Sequence, residues 1–192
     1  TMLTPGIYDA YQQGVARLAS HDQVREIARG QVGETPNQCQ AGLYVTSAEA
    51  FLNDEALQEE VFGSTSLVIE CQDAAEVKRV ADRLEGQLTI TLQMDDADHD
   101  AARALLPTLE HKAGRILVNG WPTGVEVSHA MVHGGPFPAT SDVRSTSVGT
   151  AAIYRFLRPV CYQNLPDALR PEALKEANPL GLKRLYDGRR EG

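Results

Sequence analysis

Positive charge is in short supply. Eighteen Lys and Arg face 26 Asp and Glu, a formal net charge of −8 over 192 residues. That balance excludes the broad basic face that nucleic acid or an anionic membrane surface needs as a partner. Cysteine is scarce too. Cys39, Cys71 and Cys161 are an odd number, far apart, and form no C-x-x-C pair. Neither a disulfide framework nor a structural zinc site fits them, and a reducing compartment does. No apolar run reaches membrane-spanning length, and no basic region followed by an apolar stretch opens the chain. A cytoplasmic protein with no membrane partner is the expectation. The G-x-S-x-G elbow, the G-x-G-x-x-G fingerprint and the G-x-x-x-x-G-K-[ST] phosphate loop are all missing, so the usual hydrolase and nucleotide motifs have no footing.

What is present is an ordinary globular composition, 42% hydrophobic and 23% charged, enough for one domain with a full core. Thr4-Pro5 is an N-cap hydroxyl followed by proline in the first turn, and Tyr8, Tyr11, Val15, Leu18 and Ala19 fall on one helical face. A processed terminus or a fragment of something longer would both explain so early a helix signal. A second short helix is expected over Val24 to Arg29, then a strand over Leu43 to Thr46 and a turn with a brief helix before Gly63. From there the pattern is regular. Leu67 to Ile69 reads as a strand. Asp73 with Glu76 caps a helix with Val77, Val80, Ala81 and Leu84 inward. Leu88, Ile90, Leu92 and Met94 alternate with polar residues as a strand. Asp98 caps a further helix, kinked at Pro107, and Arg115 to Asn119 forms the next strand. Strand–helix–strand–helix–strand predicts an α/β fold with a parallel βαβαβ sheet, whose ligands bind beyond the C-terminal strand ends.

Such an end is left by Ile116–Val118. It opens into a long segment rich in Gly and Pro that runs to Asp142 and carries the only Trp, two histidines and several large apolar residues. Long irregular loops in compact domains are usually functional or disordered. Because Trp121, Val125, Val127, Met131, Val132 and Phe137 call for burial, an ordered functional loop is expected. His129 and His133 are four apart, a spacing that on a helix would let them share a metal with Glu126 and Asp142. Gly134-Gly135-Pro136 opposes a helix there, and hydrogen-bonded loop histidines are the plainer reading. Beyond Asp142 the pattern gives a helix over Val148 to Leu157, an edge strand over Arg158 to Gln163, and a proline-rich tail of loop and short helix that needs another surface to cover it. The division expected is 1–147 and 148–192.

Glu59-Glu60-Val61-Phe62-Gly63 resembles the E-E-[IV]-F-G-P motif of the NAD(P)-dependent aldehyde dehydrogenases. The elements after it follow the second half of that family's catalytic domain in order. Arg115–Gly120 resembles the strand that ends in the substrate-lining loop, Gly134-Gly135 with Thr140-Ser141 the Gly-Gly stretch near the active site, and Arg158–Pro166 the oligomerisation strand. V-H-G-G-P-F-P-A-T-S-D and R-P-V-C-Y-Q-N-L-P are most similar to the branch that oxidises α-ketoglutaric semialdehyde.

The resemblance implies that Glu60 binds the nicotinamide ribose hydroxyls of NAD or NADP and that Phe62 packs beside the nicotinamide. It implies that Trp121, Pro122, Thr123, Gly124 and Val125 line the aldehyde pocket and that the parent protein is a homo-oligomer. Ser64 stands where the family has proline. The family's nucleophilic cysteine, general-base glutamate, oxyanion asparagine and nucleotide-binding domain lie upstream of the stretch matched here. The resemblance therefore implies a C-terminal portion that lacks its N-terminal domain and is inactive alone, because covalent and proximity catalysis both need the missing parts. Cys39, in Gln38-Cys39-Gln40, lies in the wrong place to be that nucleophile. Two other readings stand beside this one: a non-catalytic binding or assembly module, and a metal-dependent hydrolase on Glu126, His129, His133 and Asp142.

Overall fold

A computed structural model describes residues 1–191. The chain forms two compact units, Thr1–Arg155 and Phe156–Gly192.

The first unit begins with α1 (Pro5–Ser20), capped as its sequence requires: the Thr4 hydroxyl accepts from the Ile7 amide at 3.2 Å. Its inner face buries Tyr11, Gly14, Val15 and Leu18, while Ala19, expected inward, is exposed. The side chain of Val61 lies so close to Gly14 that a Cβ there would meet its Cγ1 at 2.9 Å.

Next come β1 (Arg25–Arg29) and β2 (Gly42–Ser47), paired antiparallel. The short helix expected over Val24–Arg29 is therefore a strand. Six residues cannot sustain an isolated helix, and the neighbouring β2 satisfies the same backbone groups as a ladder. The strand expected at Leu43–Thr46 forms, one residue longer at each end.

A short helix, α2 (Ala48–Asn53), and a single 3₁₀ turn at Glu55–Gln58 lead to β3 (Thr65–Glu70), which runs parallel to β2. Between β3 and β4 (Gln87–Leu92) lies α3 (Ala74–Arg83), and between β4 and β5 (Ala113–Val118) lies α4 (His99–Glu110). The Asp73 carboxylate accepts from the Glu76 amide at 2.8 Å. The return bond goes from the Gln72 amide to Glu76 at 2.8 Å, one residue ahead of a standard capping box. The start of α4 differs from expectation. Asp98 makes no cap bond to the helix; it closes a reciprocal box with Asp95 around a 3₁₀ turn. The helix continues through Pro107 to Glu110.

The alternation of parallel strands and helices is as expected, but the strands do not make one sheet. β1-β2-β3 form one sheet, and β4 pairs in parallel only with β5 in a second. The main core belongs to the first sheet: Tyr11, Val15, Leu18, Tyr44, Phe51 and Leu57 cluster there. Tyr44 is fully buried, with its hydroxyl receiving a hydrogen bond from Arg29 at 3.0 Å. Tyr11 sends its hydroxyl to the carbonyls of Gln40 and Ser64 at 2.7 and 3.1 Å. Burial pushes both phenol groups above their ordinary pKa.

Thr150–Phe156 is 3₁₀ helix where an α-helix over Val148–Leu157 was expected. In the second unit Arg158–Gln163 has no regular secondary structure. An edge strand needs a partner for its backbone groups, and among the described residues no strand pairs with this stretch. The tail instead holds an unexpected hairpin, β6 (Arg184–Tyr186) with β7 (Arg189–Glu191). Its two-residue turn, Asp187-Gly188, has φ of 46° and 76°, the backbone shape a tight hairpin demands and Asp-Gly supplies.

Candidate active site

Asn119 fixes where the long loop begins. At φ 52° it occupies the left-handed region that asparagine tolerates. Its amide donates to the Leu92 carbonyl at 2.9 Å. Its side chain accepts from the Met94 amide and donates to the Met94 carbonyl, both at 2.8 Å. One residue thus ties the C-terminal ends of β4 and β5 together, and Gln93 adds a bond to the Gly120 carbonyl at 3.1 Å.

The loop that follows is ordered by its own hydrogen bonds, without helix or strand. Arg115 reaches from β5 to the Gly124 carbonyl at 2.6 Å. Thr146, buried in the loop, accepts from the His133 amide at 2.7 Å and donates to the Val148 carbonyl at 2.8 Å. Ser147 donates to the His133 carbonyl at 2.9 Å, and Thr140 to that of Gly135 at 2.8 Å. Arg144 grips Asp142 through its side chain at 3.0 and 3.2 Å and holds that carboxyl below the usual carboxylate range.

Asn119 and Gly120 stay at the C-terminal ends of β4 and β5. The Gly-Gly segment returns to the strands' N-terminal ends. A Cβ on Gly114 would run into the Gly134 carbonyl, and one on Gly135 into that of Gln87. Glycine is required there because backbone lies on backbone. Burial of the loop's large residues, expected from their type, is not found: Trp121, Val127 and Phe137 are 77–79% exposed.

The residues singled out in the sequence fall in two groups. Glu60, Pro122, Thr123, Gly124 and Val125 line one cavity of about 1040 Å³. Glu60, Phe62 and Pro122 share another of about 760 Å³. Glu60 and Pro122 therefore join the two. Trp121 lines neither. Glu59 is engaged by Arg17 at 3.4 Å, whereas among the described residues nothing bonds the exposed Glu60 carboxylate. Phe62, 68% exposed, offers an open aromatic surface beside it. Arg115 also lines the larger cavity. It was not singled out, although an arginine inside an apolar strand was the available signal.

The metal arrangement is not assembled. His129 is exposed, His133 half-buried, and the stretch between them is not helical. Among the described residues no three His, Cys, Asp or Glu side chains converge to hold a metal. Cys39 is half-buried beside Ser64, and burial followed by the charge of Glu76 pushes the Cys71 thiol up. For Cys71 that is the opposite of the lowered pKa a nucleophile needs. Cys161 is exposed.

This is the fold of the aldehyde dehydrogenases, and the sequence of the chain is similar to enzymes of that name. It is 59% identical over 190 residues to α-ketoglutaric semialdehyde dehydrogenase 2 of Azospirillum brasilense, covering 99% of this chain and 36% of the relative. It is 50% identical over 188 residues to α-ketoglutaric semialdehyde dehydrogenase of Acinetobacter baylyi, covering 97% of this chain and 36% of the relative. The chain thus spans about a third of the length of the curated relatives it matches. No family model matches. Solved structures agree at the level of fold. Proline utilization A from Bdellovibrio bacteriovorus gives a TM-score of 0.68 at 17% identity over 84% of this chain and 16% of that one. The NAD-bound Δ-pyrroline-5-carboxylate dehydrogenase of Mycobacterium tuberculosis gives 0.64 at 16% identity over 89% of this chain and 31% of that one.

Proposed function

We propose that the full-length protein oxidises α-ketoglutaric semialdehyde to the dicarboxylate with NAD or NADP, and that this chain supplies part of its cofactor and substrate surfaces. The 59% identity across nearly the whole chain to an enzyme of that name carries the reading. The cofactor, when bound, accepts the hydride. Glu60 accepts hydrogen bonds from the nicotinamide ribose, and Phe62 packs against the flat ring beside it. An uncommitted carboxylate and an exposed aromatic on one cavity wall suit a sugar and a ring. Pro122, Thr123, Gly124 and Val125, with Trp121 at their head, line the approach of the aldehyde. We assign the tail a homo-oligomeric contact, supported by Phe156 at 83% and Leu185 at 70% exposure. Free cysteines and the absence, among the described residues, of a helix long and apolar enough to cross a membrane support a cytoplasmic setting.

The test is cofactor reduction by the full-length protein given the semialdehyde. Glu60→Gln weakens hydrogen bonds to a charged acceptor, a loss of about 1.5 kcal/mol or more. It should raise the KM for the cofactor roughly tenfold and leave the KM for the aldehyde nearly unchanged. Absence of turnover in the parent would overturn the assigned activity; an unchanged cofactor KM in the variant would overturn the role of Glu60.

A further inference from the structure

Arg115 carries a charge that the described residues leave unanswered. It sits half-buried on β5, opposite Thr89 of β4 in the parallel register. Both line the 1040 Å³ cavity together with Pro122, Thr123, Gly124 and Val125. The one hydrogen bond of the guanidinium among the described residues runs from Nη1 to the Gly124 carbonyl at 2.6 Å. That bond pins the group against the substrate loop and uses one of its five donors. The Nε–Nη2 edge, the pair that meets a carboxylate side-on, stays uncommitted, and Nε is buried with no partner. Holding a loop carbonyl needs a single donor, whereas a planar fork suits a carboxylate. A half-buried cation without a counter-charge costs stability that an anionic ligand would restore.

The rest of the wall opposes an anion. Glu59, Glu60 and Glu85 line the cavity, and Arg115 is its only Lys or Arg among the described residues. Glu59 is paired with Arg17 and so does not answer Arg115. His133 lines the cavity too, on a main chain held from both sides. Its amide donates to the Thr146 hydroxyl at 2.7 Å, and its carbonyl accepts from the Ser147 amide at 3.1 Å and the Ser147 hydroxyl at 2.9 Å. Its ring makes no hydrogen bond among the described residues, and Nδ1 is buried. Even a neutral imidazole has one N–H to give. We propose that Arg115 determines the specificity of the aldehyde pocket. Its Nε–Nη2 edge binds the carboxylate of a short aldehyde acid, and His133 supplies a further donor to the same anionic end. Uncharged aldehydes of equal length lack this contact. The assignment rests on the reading of Pro122–Val125 as the wall of an aldehyde pocket.

The test uses the full-length protein and two readouts. One is calorimetric binding of α-ketoglutarate, the dicarboxylate product; the other is oxidation of the semialdehyde against pentanal, an uncharged aldehyde of the same length. Arg115→Met should weaken α-ketoglutarate binding and raise the KM for the semialdehyde by about 30-fold or more, since two charge-assisted bonds are lost. The kcat/KM for pentanal should stay within about threefold of the unaltered protein. Arg115→Lys keeps the charge and loses the fork, so it should fall between the two, and it reads the same difference if the methionine variant does not fold. His133→Phe should weaken the dicarboxylate roughly fivefold. No binding of α-ketoglutarate, or an affinity unchanged in the Arg115 variants, would overturn the proposal. So would an equal loss for pentanal, which would make Arg115 a brace for the loop through Gly124. Calorimetry needs no turnover, so the two readings part. A protein that binds α-ketoglutarate through Arg115 without oxidising the semialdehyde sinks the activity alone. One that oxidises the semialdehyde with its Arg115 variants unaffected sinks the role of Arg115 alone.

Discussion

β2 and β4 are both six-residue strands with a parallel neighbour, and they have opposite fates. β2 is flanked on both edges and packed by α1 and α2, so Tyr44, Val45 and Thr46 are at most 5% exposed. β4 has one neighbour, and although its sequence alternates apolar and polar residues, not one of its residues is buried. The difference lies in the neighbours available rather than in composition. A strand's periodicity states which face is apolar; it does not state what covers that face.

The strongest way to sharpen this contrast is Tyr44→Ala. It removes a fully buried ring and its hydroxyl, and should destabilise the chain by about 3–5 kcal/mol in denaturant unfolding; a loss below ~1 kcal/mol would remove β2 from the centre of the core. Asn119→Ala comes next. Two side-chain bonds vanish, and alanine resists the left-handed backbone, so a loss of about 1–3 kcal/mol is expected, with faster exchange at Met94. An unaltered Met94 amide would show that the clamp does not hold the ends of β4 and β5.

Leu88→Ala tests the contrast directly. In the 192-residue chain, where Leu88 is 38% exposed, it should cost less than ~1 kcal/mol. In the full-length protein a covered cleft should raise the cost to about 2–5 kcal/mol. Equal costs in the two would abolish the distinction between the strands.

The smallest effect concerns pH. His21 bonds Asp54 at 2.9 Å, and with the Ala56 amide it holds the Asp54 carboxyl below its usual range. A carboxyl depressed by folding contributes stability above its unfolded pKa and loses it as pH falls through the folded value. Both partners are partly exposed, so a shallow decline in acid is expected, flattened by His21→Ala. The same decline in that variant would assign it to other carboxylates.

Much of the fold was legible residue by residue. Thr4-Pro5 and the Asp73 and Glu76 pair each carry a local signal that survives in the structure, whereas the alternation along residues 88–94 yields a strand that ends at Leu92 and does not alternate in burial. Val24–Arg29 was misread because a short apolar-polar run is satisfied equally by helix and ladder until a partner strand is known. The Asp187-Gly188 hairpin was missed although its turn signal is plain, because short charged strands lack the apolar runs that frame such signals. In the candidate site, Glu60 and Pro122 through Val125 are implied by the family resemblance, and they line one cavity. Trp121 is adjacent in sequence but lines neither cavity, and the place of Arg115 in the site depends on its bond to Gly124, distant from local sequence signals.

The sequence by itself determined the α/β class, the starts of α1 and α3 and the acidic-aromatic motif. These follow from caps, periodicity and short spacings that act within a few residues. Tertiary structure decided which strands pair, where the Gly-Gly segment returns, and that β3 and β4 stand apart. Those depend on backbone edges and close approaches between residues distant in the chain, where hydrogen-bond partners and excluded volume, not local propensity, set the outcome.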